Sequence, residues 1–167
     1  MVLTVRLGIE EIRQIAVESL INRFGERLEG IVLFGSRARK KVTEWSDIDP
    51  FVVIEDLPKD PVERGRVVYR VVAPPLLQKF NCDITVIEAE AKEIGKGKEL
   101  TPLLINIAHD GIILYDKRRQ IADLFARIRE AVRKAGLIKY KTADGKYGWK
   151  PRRKLGPGEV FEVRLEG

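Results

Sequence analysis

The stretch FGSRAR at residues 34–39 is followed by DID at residues 47–49. Ten residues separate the Gly-Ser pair from the first aspartate, and these two motifs at this spacing decide the fold. The apolar run at 31–34 predicts a short buried strand, so the Gly-Ser pair lies where that strand turns. Glycine lets backbone approach a ligand closely, and Ser36 adds a hydroxyl beside the free N–H groups of a helix start. The two aspartates lie two residues apart, so their carboxylates leave the same face of a strand. Two carboxylates facing such a turn suit Mg²⁺, and the stretch therefore predicts a phosphate cradle opposite a magnesium site.

Periodicity on both sides of this stretch predicts alternating helices and strands. Apolar residues at three- and four-residue steps predict an amphipathic helix over 9–28. The Asp60-Pro61 pair is typical of a helix start, and the Pro74-Pro75 pair must kink or divide that helix. The other predicted elements are strands at 31–34, 47–55, 81–87 and 112–115, a short helix from 36, a loop at 95–97 and a helix from 101 to 111.

The C-terminal third predicts a different kind of structure. Residues 119–135 read as a basic helix whose apolar residues face inward, namely Ile121, Leu124, Phe125, Ile128 and Val132. Residues 137–149 resemble a hairpin with an Asp-Gly turn, and residues 160–165 alternate as a further strand would. The chain is therefore interpreted as an α/β (α+β) domain over residues 1–116, followed by a basic C-terminal helix and small β appendage over 117–167.

Charge is distributed unevenly along the chain, whose formal net charge is +6. Residues 117–154 carry 14 Lys/Arg against three Asp/Glu, which predicts a polyanionic partner. Tyr140, Tyr147 and Trp149 are interleaved with these cations, a pattern that suits RNA or single strands but also suits an acidic protein. The candidate nucleic-acid-binding residues are Trp149, Arg152, Arg153 and Lys154.

Composition excludes several classes of protein. Cys82 is the single cysteine and His109 the single histidine, so neither an internal disulfide nor a zinc site is expected. The apolar runs are too short for a membrane span or a signal peptide, and we expect a cytoplasmic protein. Few Asn, Gln, Cys and Met among many charges predict a thermophilic source.

The motif, together with the later Asp83 in a predicted strand, resembles that of the DNA polymerase β-like nucleotidyltransferase superfamily. It is most similar to the small prokaryotic members, the minimal nucleotidyltransferases. The resemblance covers roughly residues 5–115 and implies a short mixed β-sheet backed by helices. The chain departs from the usual pattern at Lys40, where glycine is common, and at Pro50, where an apolar strand residue is usual.

The resemblance also implies roles for the site residues. Two Mg²⁺ ions would be held by three carboxylates, those of Asp47, Asp49 and Asp83. Asp83 would also accept the proton of the attacking hydroxyl. The triphosphate would lie at the turn, with Gly35 and Ser36 on the β- and γ-phosphates and Arg37 or Arg39 on the leaving pyrophosphate.

The function expected from the resemblance is Mg²⁺-dependent transfer of a nucleoside monophosphate, AMP from ATP as the first choice, to a hydroxyl. The acceptor is a protein tyrosine or serine, an RNA end or a small molecule. Minimal members often act as antitoxins on a separate helical toxin, which favours a protein acceptor. The alternative is a non-enzymatic or RNA-directed module on the same fold, in which the basic region at 117–154 binds nucleic acid.

Overall fold

The structure, a computed structural model, describes residues 2–39, 41–43, 46–94 and 100–165. Lys40 and the loop predicted at 95–97 lie outside the described residues. The helices are α1 (Val2–Phe24), α2 (Gly35–Ala38), α3 (Pro61–Phe80), α4 (Pro102–Asp110) and α5 (Gln120–Lys134), with a 3-10 turn at Gly25–Arg27. The strands are β1 (Leu28–Phe34), β2 (Asp49–Ile54), β3 (Ile87–Glu90), β4 (Ile112–Asp116), β5 (Leu137–Lys141) and β6 (Tyr147–Pro151).

Four strands form a mixed sheet in the order β3-β2-β1-β4, as the resemblance implies. Strand β1 pairs antiparallel with both β2 and β4, whereas β2 and β3 are parallel. Strand β1 is buried from Leu28 to Leu33, because it lies between β2 and β4 and helices cover both faces of the sheet.

The core has two layers, one on each face of the sheet. On one face, Ile31 and Leu33 of β1 pack with apolar residues of α1 and α3. On the other face, Val32 packs with α4 and α5. The prediction for α5 is confirmed, because all five residues that its periodicity turns inward are buried in this second layer: Ile121, Leu124, Phe125, Ile128 and Val132.

The predicted helix starts are confirmed by their caps. The carboxylate of Asp60 accepts a hydrogen bond from the Glu63 backbone N–H at 2.9 Å, with proline at the first position of α3. Thr101 caps α4 in the same way, through the Leu104 N–H. Division of α3 at its Pro-Pro pair is wrong, since one helix runs from Pro61 to Phe80 and buried residues on both sides of the pair hold it against the core.

Several bounds differ from the predictions, and β2 begins at Asp49 instead of Asp47. Helix α1 ends at Phe24 because Gly25 adopts a φ of +54°, and Leu28 belongs to β1. The third strand begins at Ile87 instead of Asn81, because Asn81 ends α3 in the left-handed conformation and residues 81–86 then contribute only the bridge between Ile84 and Ile48. The strand predicted at 160–165 is absent from the described part of that segment, where the Val163 carbonyl accepts a hydrogen bond from the Leu100 N–H and Leu165 is buried in the second layer.

Pro50 is accommodated near the start of β2. It is the second residue of the strand and faces Leu33 of β1, while pairing with β3 begins one residue later at Phe51. A residue without an N–H is tolerated there because the ladder to β3 has not yet begun. Among the described residues, no helix is long and apolar enough to cross a membrane.

Candidate active site

Gly35 and Asp49 meet at the carboxyl end of β1. In the antiparallel register of β1 and β2, Phe34 lies opposite Asp49, which brings the carboxylate beside the turn. Gly35 has a φ of +76°, and a Cβ built on it would lie 2.1 Å from Asp49 Oδ2. Only glycine leaves room for this contact. The group that approaches the backbone of the turn closely is therefore the carboxylate of Asp49.

Asp47 and Asp49 interact through their charges, although Asp47 precedes β2 and is exposed. Burial raises the pKa of Asp49, and the neighbouring charge of Asp47 raises it further. A hydrogen bond from Thr85 and the charges of Arg39 and Arg37 act in the opposite direction. A half-buried carboxylate beside a second one is an arrangement that a bound cation would relieve.

Asp83 lies on the neighbouring segment, where its backbone carbonyl accepts a hydrogen bond from the Ile48 N–H at 3.0 Å. Its side chain is exposed, and among the described residues no three His, Cys, Asp or Glu side chains come together as a metal cluster. Mg²⁺ is commonly bound by one or two carboxylates with substrate phosphates and water. The oxygen donors of Asp47 and Asp49 therefore fit this ion when a nucleotide supplies the remaining ligands.

Arg37 is engaged by the protein. Its guanidinium donates to the Ser46 carbonyl at 2.8 Å and 3.1 Å and to the Asp47 carbonyl at 3.2 Å. It also lies 5.8 Å from the centre of the Phe80 ring and contacts Cys82 Sγ. These contacts fix the chain just before the aspartates, and they favour a positioning role for Arg37 beside the phosphate role that the motif implies.

Replacing Arg37 by lysine tests this positioning role. Lysine cannot reproduce the forked contact with two carbonyls, so we expect a loss of about 1–2 kcal/mol in the free energy of unfolding, within the range of hydrogen bonds to charged groups. Nucleotidyl transfer is expected to fall about tenfold or more, because Asp47 is no longer held in place. Denaturant unfolding and initial transfer rates measure the two effects. Arg66→Lys on an exposed part of α3 is the control, and equal behaviour of the two variants contradicts the role.

Arg39 points to a part of the chain that the motif does not include. Its guanidinium carbon lies 4.9 Å from the centre of the Tyr147 ring, on strand β6. The Tyr147 hydroxyl accepts a hydrogen bond from Lys41 Nζ at 3.0 Å, and this bond lowers the pKa of the tyrosine. The β5–β6 hairpin thus reaches the residues that follow the Gly-Ser turn. The sequence pattern shows that the hairpin is basic and aromatic but does not predict this location.

The candidate nucleic-acid-binding residues differ in their contacts and exposure. Trp149 packs on α4, where its indole Nε1 donates to Asn106 Oδ1 at 2.9 Å and its ring lies 4.5 Å from that of His109. Arg152, Arg153 and Lys154 are exposed beyond or just after β6, and Arg153 is paired with Glu159. Binding of nucleic acid by these four residues stays a prediction.

Comparisons of sequence identify one family, and a solved structure shows a similar fold. A model of the nucleotidyltransferase domain matches residues 14–134. The chain is 30% identical over 128 residues to the "Putative protein adenylyltransferase" of Methanocaldococcus jannaschii, a match that covers 77% of this chain and 84% of that protein. A crystal structure of a toxin–antitoxin with AMP-PNP is similar over 73% of this chain and 87% of its own, with 17% identity and a TM-score of 0.51. An MntA-HpeT toxin–antitoxin mutant is similar over 71% and 85%, with 16% identity and a TM-score of 0.48.

Proposed function

The chain belongs to the nucleotidyltransferase domain family, and on that premise we propose that it transfers AMP from ATP, with Mg²⁺, to a hydroxyl group of a partner protein. It is a transferase of nucleotidyl groups, and the proposal concerns the nucleotide, the metal and the acceptor. The observation that carries it is the carboxylate of Asp49, which lies against the backbone of Gly35 with Asp47 beside it. This arrangement puts two anionic ligands next to the turn that the motif assigns to phosphate.

The reaction forms one bond and breaks one at the α-phosphorus, and the acceptor hydroxyl loses its proton. The acceptor oxygen bonds to the α-phosphorus, the bond from that phosphorus to the bridging oxygen of the β-phosphate breaks, and pyrophosphate leaves with that electron pair. A divalent cation, when bound, withdraws charge from the phosphate oxygens. Asp47 and Asp49 hold the cation side of the site, and Asp83 on the adjacent segment is the proposed acceptor of the hydroxyl proton.

The triphosphate is proposed to lie along the Gly-Ser turn. Gly35 presents backbone without a side chain, and the Ser36 hydroxyl offers a donor to a phosphate oxygen. Arg39 supplies positive charge close enough to lower the pKa of Asp49. Its guanidinium therefore suits the charge that develops on the leaving pyrophosphate.

A protein acceptor is favoured by the relatives. The relative from Methanocaldococcus jannaschii carries the name of a protein adenylyltransferase, and the similar crystal structure is that of a toxin–antitoxin with AMP-PNP. We therefore propose a tyrosine or serine hydroxyl on a helical toxin as the acceptor. Each of these acceptors attacks through a hydroxyl oxygen, so the bonds formed and broken at phosphorus are the same.

The test is to follow an α-phosphate label. The protein is incubated with each labelled triphosphate, Mg²⁺, the product of the neighbouring gene and total RNA in turn. We expect label from ATP on the partner protein and none after EDTA is added. Label on RNA alone, or no transfer from any triphosphate, overturns the proposal.

A further inference from the structure

We infer that the β5–β6 hairpin completes the nucleotide site by forming a cationic subsite for the pyrophosphate part of the triphosphate. The inference rests on the proposed function, since the nucleotide is assigned there. The subsite, called the Tyr147 cluster, consists of Arg39, Lys41, Lys139, Lys141 and Tyr147. Lys139, Lys141 and Tyr147 belong to the hairpin and lie outside the family motif.

Four cations surround one ring in the Tyr147 cluster. The ring centre lies 4.6 Å from Lys139 Nζ and 4.9 Å from the Arg39 guanidinium carbon. Lys41 Nζ and Lys141 Nζ are 5.7 Å and 5.9 Å away. Cations at such distances are attracted by an aromatic face, so the tyrosine gathers charges that would otherwise repel one another.

The cluster is continuous with the Gly-Ser turn. The Arg39 backbone N–H donates to the Gly35 carbonyl at 3.3 Å, and the Lys41 N–H donates to the Ser36 carbonyl at 3.1 Å. The charge of Arg39 also acts on Asp49. A triphosphate that starts at Asp47 and Asp49 and lies along the Gly-Ser turn would therefore extend to the Tyr147 cluster.

The positive charge of the cluster is only partly compensated. Asp110 forms an ion pair with Lys139, and its Oδ2 lies 4.0 Å from Arg39 Nη1. Within the described part of the chain, no carboxylate pairs with Lys41 or Lys141, and Arg39 Nε has no hydrogen-bond acceptor. Four cations against one carboxylate leave room for a ligand with several negative charges and many oxygen acceptors, which is the chemistry of pyrophosphate.

Stacking of RNA bases is not favoured on this face. Base recognition on single strands needs free aromatic faces, but the Tyr147 ring is surrounded by cations and the Trp149 indole packs on α4. Tyr140 alternates with the two hairpin lysines and so lies on the opposite face of the hairpin. The hairpin face that is turned toward the Gly-Ser turn therefore carries positive charge but no free aromatic ring on which a base could stack. This combination is typical of a phosphate site.

The side chain of Asn106 holds the hairpin in this position. Its carbonyl oxygen accepts from the Trp149 indole, and its amide nitrogen lies 3.4 Å from the Tyr147 carbonyl oxygen, to which it donates. These bonds join α4 to β6 at the residue that carries the ring of the cluster. The cations of the hairpin are therefore held against the turn by a polar contact with the helix beneath.

The inference is tested by pyrophosphate binding with the Lys41→Gln/Lys141→Gln double variant of the full chain. Both lysines are exposed and neither is ion-paired among the described residues, so folding is expected to be retained and is checked by circular dichroism. We expect the dissociation constant for inorganic pyrophosphate, measured by titration calorimetry with Mg²⁺, to rise about tenfold or more. The control is Lys146→Gln/Lys150→Gln, which removes the same charge from the same hairpin.

Each outcome decides the inference. Weakened pyrophosphate binding in the first variant with unchanged binding in the control supports it. Equal loss in both variants, or no binding by the unaltered protein, overturns it. It is also overturned if the first variant loses affinity for a single-stranded RNA while pyrophosphate binding is unchanged, because the cluster is then a nucleic-acid surface. Pyrophosphate binding needs no acceptor, so failure of the transfer reaction is measured separately.

Discussion

Asp49→Asn is expected to lower the rate of nucleotidyl transfer by roughly 10³-fold or more, the largest loss of activity from any single isosteric change in this chain. The amide has the shape of the carboxylate but lacks its charge, and it is a poor ligand for Mg²⁺. Burial and the charge of Asp47 raise the pKa of Asp49, so its ionised form is unfavourable in the folded protein. At pH 7 the free energy of unfolding of the neutral variant is therefore expected to equal or exceed that of the unaltered chain.

Single-turnover transfer of labelled AMP and denaturant unfolding measure these two effects. Asp56→Asn is the matched control, because Asp56 is exposed just beyond the other end of β2. We expect this control to transfer AMP at the rate of the unaltered protein. Transfer by Asp49→Asn within tenfold of that rate contradicts the role of the carboxylate.

Gly35→Ala is expected to lower transfer by about 10²-fold and the free energy of unfolding by about 1–3 kcal/mol. The backbone φ of +76° alone disfavours alanine by about 1 kcal/mol. The added Cβ would also lie 2.1 Å from Asp49 Oδ2, so the carboxylate must move. A displacement of that size misplaces the carboxylate that is proposed to hold the metal, and the expected loss of activity follows from the changed geometry.

Gly158→Ala separates the two causes. Gly158 has a φ of +75°, and a Cβ built there meets nothing within 4 Å. This variant carries the backbone strain without the clash, and we expect it to lose stability but retain full transfer. If both alanine variants retain activity equally, the contact between Gly35 and Asp49 does not control the reaction.

The sequence is most informative where a local rule determines the structure. The periodicity of α5 selects the residues that the structure buries. The shared strand face of Asp47 and Asp49 stays a prediction, because β2 begins at Asp49 and Asp47 precedes it. The start of β3 could not be read from apolar alternation, because pairing with β2 depends on how Asn81 turns the chain after α3. The register between two strands depends on contacts between distant parts of the chain, and local sequence patterns carry no information on it.

The directions of the arginine side chains could not be predicted from the sequence either. Nothing in the run of the motif indicates that Arg37 turns back to the Ser46 carbonyl while Arg39 faces Tyr147. The hydrogen bond between Lys41 and Tyr147 joins residues 106 positions apart, and no periodicity links them. The motif therefore predicts the carboxylates, whereas the contacts of the hairpin with Arg39 and Lys41 required the tertiary structure.

This long separation has a consequence for the protein during its synthesis. A growing chain that has emerged as far as α5 already contains the Gly-Ser turn and the aspartates, but two of the four cations of the Tyr147 cluster are still inside the ribosome. The indole of Trp149, which fastens the hairpin to Asn106, emerges later still. On the proposed assignment, the nucleotide site would therefore be complete only after β6 has folded back onto α4.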